Sequence, residues 1–276
     1  MDVLYAILLG VLQGITEWLP VSSSGHLAIA QNFFGLEVPV MFDIVLHIGT
    51  LLAAVVFLKD EIFQIISGII DGVKTKKINY GIKLFFMTII ASIPTAVIGF
   101  AFKNFFEGMF FEIRYVGIAL MITALLLFVG EKAKTIKGKK PSYFDALIMG
   151  MFQGFAVAPG ISRSGSTIAA GMLLGNDKTN IARFSFLLSI PAIVGAGIFE
   201  GMESASVEFI QQNLISVLAG FFVSAIVGYL SMKFLIGMIK EGRFWWFGVY
   251  CFALGVSILI TGCEVNLVRI EFEQIT

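Results

Sequence analysis

Two short stretches of the sequence carry the residues whose types and spacing could do chemistry. The first runs from Gln13 to His26 and reads Gln-Gly-Ile-Thr-Glu-Trp-Leu-Pro-Val-Ser-Ser-Ser-Gly-His. Gln13 and Glu17 are four residues apart and share one face of a helix, which Pro20 is expected to end. A carboxylate, hydroxyls and an imidazole this close together are groups that acid–base and nucleophilic catalysis use. The hydroxyls belong to Ser22, Ser23 and Ser24, which can also cap the helix that follows.

The second stretch runs from Pro159 to Thr167 and reads Pro-Gly-Ile-Ser-Arg-Ser-Gly-Ser-Thr. Its Pro-Gly pair is expected to break a helix, and Arg163 then lies among hydroxyls at the start of the next one. A helix N-terminus with free amides, hydroxyls and a guanidinium is suited to bind phosphate. We therefore expect substrate contacts from Gln13, Ser22, Ser24, Ser162, Ser164, Gly165, Ser166 and Thr167, beside the charged Arg163.

Simpler roles stay open for several of these residues. Glu17 could pair with Arg163 only to lower the cost of burying a charge in the membrane. The serines could be helix caps alone. For His47, on an apolar segment, we favour a packing or polar-contact role, and for Asp145 a favourable interaction with the helix dipole.

The composition points to an integral membrane protein. The 276 residues are 58% hydrophobic and 14% charged, with a mean hydropathy of +0.92, whereas a soluble domain is about 25% charged. We read residues 1–276 as one membrane domain. The formal net charge of zero creates no field that would attract nucleic acid. Cys251 and Cys263 both fall in the last apolar segment, where we expect packing and neither a disulfide nor a zinc site.

Hydropathy predicts an all-α fold with six transmembrane helices and two re-entrant helical hairpins. The predicted spans are residues 40–59, 83–102, 114–131, 182–200, 213–233 and 244–263. The regions 3–35 and 143–175 are apolar but interrupted, and each half has about 15 residues, too few to span comfortably. A broken helix at membrane depth is tolerated only where it is buried in protein or lines a polar cavity. These two regions are therefore predicted to be the hairpins.

Charge predicts the orientation. Lysines cluster in three segments, near residues 59–83, 132–140 and 233–243, which the positive-inside rule places in the cytoplasm. The two hairpins then enter from opposite faces, the first from outside, and both termini lie outside. The first segment lacks a basic start and is expected to stay in the mature protein.

The two hairpins also match in sequence, at a constant offset of 140 residues. The identical pairs are Ala6/Ala146, Gly10/Gly150, Gln13/Gln153, Gly14/Gly154, Ser22/Ser162, Ser24/Ser164, Gly25/Gly165 and Ala30/Ala170. This predicts an inverted repeat with halves of about 1–131 and 141–264. In such folds the binding site lies near the midplane, where broken helices meet.

The two motifs together resemble the bacterial undecaprenyl-diphosphatase family linked to bacitracin resistance, and length and hydropathy agree over the whole chain. The resemblance implies hydrolysis of undecaprenyl pyrophosphate to the monophosphate at the outer face of the bacterial cytoplasmic membrane, which recycles a carrier lipid for peptidoglycan synthesis. It implies a divalent cation, Mg²⁺ or Ca²⁺, for which Glu17 is our candidate ligand. Glu17, Ser23, His26 and Arg163 match the family's functional positions. Gln13 stands where many members carry a second Glu.

Mechanism and partners are left with alternatives. The nucleophile could be Ser23, His26 or a water molecule, with a preference for Ser23. A transporter of a phosphorylated lipid would need a similar midplane anion site, but binding alone does not need His26 beside Ser23. The expected partners are an isoprenoid pyrophosphate and membrane lipid, with a homodimer as one option for the oligomeric state.

Overall fold

A computed structural model describes residues 2–36, 38–110, 112–203 and 207–261, and thirteen helices lie within those ranges. They are α1 (Val3–Trp18), α2 (Ser23–Phe33), α3 (Val40–Phe57), α4 (Lys59–Thr75), α5 (Tyr80–Ala101), α6 (Lys103–Phe110), α7 (Ile113–Lys132), α8 (Tyr143–Phe155), α9 (Arg163–Leu173), α10 (Lys178–Glu203), α11 (Val207–Gln212), α12 (Leu214–Lys240) and α13 (Trp245–Thr261). The part of the chain that the structure describes contains no strand, so the predicted all-α class is confirmed there.

Five of these helices, α3, α5, α7, α10 and α12, are long and apolar enough to cross a membrane. The chain is thus an all-helical, multi-pass membrane protein. The sixth predicted span, 244–263, begins as α13, of which the described part is 17 residues long. Its last two predicted residues, including Cys263, and the acidic tail lie outside the described residues.

The cytoplasmic segment predicted around 233–243 is shorter than the lysine pattern suggested. Helix α12 continues to Lys240, so Lys233 and Lys240 are helical. The reason is that the apolar sequence resumes directly after Lys233, and one charged residue near the end of a helix can keep its ammonium in the polar interface.

Both predicted interruptions are present. Helix α1 ends at Trp18 and α2 begins at Ser23, while α8 ends at Phe155 and α9 begins at Arg163. Each break contains a residue with positive φ, Ser22 at 71° and Gly160 at 91°. A Cβ at Gly160 would lie 2.5 Å from the Val116 carbonyl oxygen of α7. The second break therefore needs glycine for both its conformation and its close approach to α7.

Glycine contacts hold α1 and α8, the helices that precede the two breaks, each against a long helix. A Cβ on Gly10 of α1 would lie 2.7 Å from the Gly220 carbonyl oxygen of α12. A Cβ on Gly150 of α8 would lie 2.2 Å from the Ala91 carbonyl oxygen of α5. Small residues let membrane helices approach until their backbones touch, and these contacts fix where each break lies.

Helix α8 begins with a complete capping box. The Ser142 hydroxyl accepts from the Asp145 backbone N–H at 3.2 Å, and the Asp145 carboxylate accepts from the Ser142 N–H at 2.8 Å. Asp145 thus has the structural role that the sequence favoured.

Candidate active site

The two breaks touch each other. The backbone N–H of Gly160 donates to the Ser22 hydroxyl at 3.1 Å. Thr123 of α7 holds the second break by two hydrogen bonds. Its hydroxyl donates to the Gly160 carbonyl at 3.0 Å and accepts from the Ser162 N–H at 3.0 Å. These contacts bring the polar residues of both stretches to one place.

Glu17 lies at the centre of the cluster, with 5% of its side chain exposed. Its Oε1 is paired with the Arg163 guanidinium of the other hairpin. Its Oε2 accepts from the Ser23 hydroxyl at 2.7 Å and from the Gln13 amide at 3.2 Å. One carboxylate therefore gathers a cation, a hydroxyl and an amide, and the expected pairing of Glu17 with Arg163 is present.

Arg163 keeps a donor free for another group. Its Nη1 is buried and has no hydrogen-bond partner among the described residues, while the guanidinium carbon lies 5.8 Å from the centre of the Trp18 ring. A buried donor without a partner is costly. An anion in the site would satisfy this donor and remove that cost.

The hydroxyls before and after Arg163 divide into two groups. Ser162 caps α9 by accepting from the Gly165 N–H at 3.1 Å, and the Ser164 hydroxyl lies 3.3 Å from the Ser162 hydroxyl. Thr167 is buried and bonds to the Arg163 carbonyl and, at 2.6 Å, to Ser185 of α10. Ser166 is buried with no partner for its hydroxyl within the described ranges. The first group faces the break, and Thr167 braces α9 against α10.

The serines of the first break are also distinct. Ser22 is buried and joins the breaks through Gly160, Ser23 is directed to Glu17, and Ser24 is half-buried in the first turn of α2. Of the three, Ser23 is thus the hydroxyl that lies against a carboxylate.

His26 does not contact Ser23 through either ring nitrogen. Its Nδ1 lies 2.7 Å from the Ser22 carbonyl oxygen, and its Nε2 lies 2.6 Å from the Tyr250 hydroxyl of α13. Tyr250 could not be predicted from the sequence, because it is 224 residues away and looks like an ordinary aromatic of the last apolar segment. In this conformation Glu17 is the base nearest to the Ser23 proton.

His47 of α3 is a second residue that belongs with the site. Its Nε2 lies 3.6 Å from Glu17 Oε2, and its Nδ1 lies 2.8 Å from the Asp43 carbonyl. The favoured polar-contact role is present, and its partner is the central carboxylate. A histidine within an apolar span is itself a signal of such a site, because polar residues inside the membrane are expensive unless they face a partner.

The donors present fit a cation shared with a substrate. Among the described residues no three His, Cys, Asp or Glu side chains come together as a metal cage. Glu17 offers a carboxylate, and Gln13 next to it has a buried Oε1 without a partner. Mg²⁺ is commonly bound by one or two protein oxygens together with substrate phosphates and water.

Comparison with known proteins identifies the family. The sequence profile described as BacA, bacitracin resistance protein BacA, matches residues 6–257. The chain belongs to the BacA family. Both breaks, and every residue of the site described above, lie within the part that matches.

Relatives of this BacA-family chain match over nearly its full length. A protein of Carboxydothermus hydrogenoformans named undecaprenyl-diphosphatase is 40% identical over 270 residues, covering 94% of this chain and 97% of the relative. Proteins of the same name from Desulforapulum autotrophicum and Methanosphaera stadtmanae are 42% and 41% identical, with 95% and 94% of this chain covered and 99% and 98% of theirs.

Proposed function

We propose that this protein hydrolyses undecaprenyl pyrophosphate to undecaprenyl phosphate and inorganic phosphate. The observation that carries the proposal is the cluster of Glu17, Ser23 and Arg163 at the junction of two broken helices. The cluster combines a nucleophile, a base and an anion-binding group. The name shared by the relatives describes the same reaction.

The architecture supports a site at membrane depth. We propose six spans, with α13 as the sixth, and two re-entrant hairpins, α1–α2 and α8–α9. The halves 1–131 and 141–264 form an inverted repeat. In support, α1 packs on α12 of the other half and α8 packs on α5 of the other half, each through the glycines that match at the offset of 140. The lysine distribution puts the opening of the site at the outer face of the cytoplasmic membrane and both termini outside.

Substrate binding uses the hydrogen-bond donors of Arg163 and of the start of α9. Arg163 and the α9 N-terminus with Ser162 and Ser164 bind the phosphate oxygens. When Arg163 turns to phosphate, the Glu17 carboxylate loses its partner and is free to accept a proton. Binding thus prepares the base.

The reaction then proceeds in two steps. Ser23 Oγ attacks the terminal phosphorus as its proton passes to Glu17, and the bond from phosphorus to the bridging oxygen breaks. The lipid phosphate leaves with the electron pair of that bond and takes the proton from Glu17. In the second step water attacks the seryl phosphate and gives a proton to Glu17. The Ser23 oxygen leaves, regains that proton, and inorganic phosphate is released.

The proposed site also binds a divalent cation, Mg²⁺ or Ca²⁺. Glu17 and the Oε1 of Gln13 would hold it together with the pyrophosphate. Bound there, it would neutralise charge on the phosphate oxygens.

Hydrolysis by purified protein tests the function. Incubated with an isoprenyl pyrophosphate and Mg²⁺ in detergent, the protein is expected to release one phosphate per lipid and leave the isoprenyl monophosphate. The matched control is Lys103→Met, which removes a partly exposed charge of the i,i+4 pair with Glu107 and should release phosphate at the wild-type rate. No phosphate release from folded protein at any chain length would contradict the proposal.

A further inference from the structure

His26 is held in one particular tautomer. Its Nδ1 lies 2.7 Å from the Ser22 carbonyl oxygen, and a carbonyl can only accept, so Nδ1 carries the proton. In the neutral ring the lone pair is then on Nε2, the nitrogen that could act on a substrate. Nε2 lies 2.6 Å from the Tyr250 hydroxyl, which therefore donates to it.

Tyr250 is placed for this contact by the helix that carries it. The next residue, Cys251, is buried and its thiol donates to the Pro20 carbonyl at 3.4 Å. Two consecutive residues of α13 thus contact the first stretch: Cys251 bonds to Pro20 in the break, and Tyr250 bonds to His26 on α2. The rings of Tyr250 and His26 are stacked, with centres 5.7 Å apart and planes 20° apart.

Tyr250 also reaches the surface of the protein, since 47% of the residue is exposed. The tyrosine therefore connects the reactive nitrogen of the site to the molecular surface. A tyrosine that only filled space between helices would not need its hydroxyl at the one nitrogen of His26 that carries the lone pair.

We propose that Tyr250 is a positioning residue of the hydrolysis reaction, acting through His26. Its hydroxyl keeps Nε2 unprotonated and fixes the ring angle. When a phosphate enters, its oxygens can accept the phenol proton in place of Nε2, so that His26 presents a bare Nε2, in a single tautomer, that can accept a hydrogen bond from the attacking water. This inference rests on the proposed function and adds to it a residue from the last helix.

Tyr250→Phe removes the hydroxyl and keeps the ring. We expect kcat for isoprenyl pyrophosphate to fall by about 10-fold or more, the usual effect of losing the group that orients an active-site histidine, with KM changed by less than about twofold because Arg163 still binds the phosphate. The matched control is Tyr229→Phe, since Tyr229 is also a partly exposed tyrosine, on α12, and its ring contacts Phe57. An unchanged kcat in Tyr250→Phe would overturn the proposal.

A second measurement does not depend on turnover. The chain has only two histidines, His26 and His47, so acylation by diethyl pyrocarbonate in native membranes can be assigned to each by mass spectrometry. Because the reagent attacks an unprotonated ring nitrogen, His26 should react faster in Tyr250→Phe than in wild type, with His47 as the internal reference. Equal rates for His26 in the two proteins would overturn the contact.

The wild-type protein alone gives a third readout. The ¹⁵N NMR signals of the two histidines should show His26 protonated at Nδ1 and bare at Nε2, and a protonated Nε2 would overturn the proposal without any variant. If wild-type protein released no phosphate at all, the proposed function would fail, and the acylation and NMR results would still decide the Tyr250–His26 contact.

Discussion

Glu17 explains why so many polar groups can be buried in this part of the molecule. Its two oxygens are divided between Arg163 on one side and Ser23 with Gln13 on the other. An isolated charge at membrane depth costs at least about 2.5–3.5 kcal/mol, and the ion pair lowers that cost for both partners. The same carboxylate accepts the hydrogen bond of the Ser23 hydroxyl. The group that allows Arg163 to be buried is therefore also the group that could take the Ser23 proton.

Ser23→Ala tests the assignment of the nucleophile. Removing Oγ should reduce phosphate release by at least about 100-fold, since Ser23 is the serine of the first break whose hydroxyl bonds to a carboxylate. Ser92→Ala is the matched control, because Ser92 of α5 is also part-buried, and its hydroxyl donates to the Thr88 carbonyl of its own helix. Phosphate release by Ser23→Ala within about threefold of wild type would assign the attack to water or to His26.

Residue types and local spacing predicted a good part of this site. Glu17 and Arg163 could be chosen because charged groups at interrupted apolar helices need a reason to be there, whereas Ser23 was singled out from its neighbouring serines by the family resemblance. Tyr250 could not, since aromatic residues are common in membrane helices and only the folded chain brings α13 to His26. The partner of His47 was likewise a tertiary fact, because α3 reaches Glu17 from a different part of the sequence.

At the scale of the helices, close backbone contacts fix the positions of α1 and α8, and with them the positions of the two breaks. Gly10 of α1, packed on α12, and Gly150 of α8, packed on α5, leave no room for a side chain. Packing at this distance fixes the depth of α1 and α8, and therefore the position of Glu17 and of the loop that leads to Arg163. A shift of either helix would separate groups that lie within hydrogen-bond distance.

Gly150→Ala tests this packing. The added methyl would lie 2.2 Å from the Ala91 carbonyl oxygen and 2.6 Å from the Ala91 Cα, so α8 must move, which should cost about 1–3 kcal/mol. Gly237→Ala on α12 is the control, because nothing lies within 4 Å of the added atom. We expect a lower melting temperature in detergent for Gly150→Ala alone, and equal melting temperatures for the two variants would contradict this close contact.

Hydropathy and helix breakers predicted most of the elements. The interruptions fell where Pro20 and Pro159, together with the Gly and Ser residues beside them, predicted them. Proline alone does not decide, since Pro94 and Pro191 lie inside α5 and α10. Helix ends set by tertiary contacts were harder to predict from the sequence, as the continuation of α12 to Lys240 shows. The short helices α6 and α11 are too brief for a periodic signal in sequence.

For the whole molecule, the proposed orientation can be tested by labelling. In a chain with Cys263→Ser, a cysteine at the exposed position Lys137 should react with a membrane-impermeant maleimide only from the cytoplasmic side, and one at the exposed position Gln211 only from outside. The parent chain is the control, since its Cys251 is buried. Labelling of both positions from the same side would contradict the inverted arrangement.

The most direct test of a single site built from both hairpins is a double-mutant cycle of activity with Glu17→Gln and Arg163→Gln. Groups that act as one unit are strongly non-additive. We predict that each single variant loses at least about 100-fold in kcat/KM and that the double variant is no worse than the poorer single one. Losses that multiply in the double variant, or a single variant with wild-type turnover, would contradict a shared site.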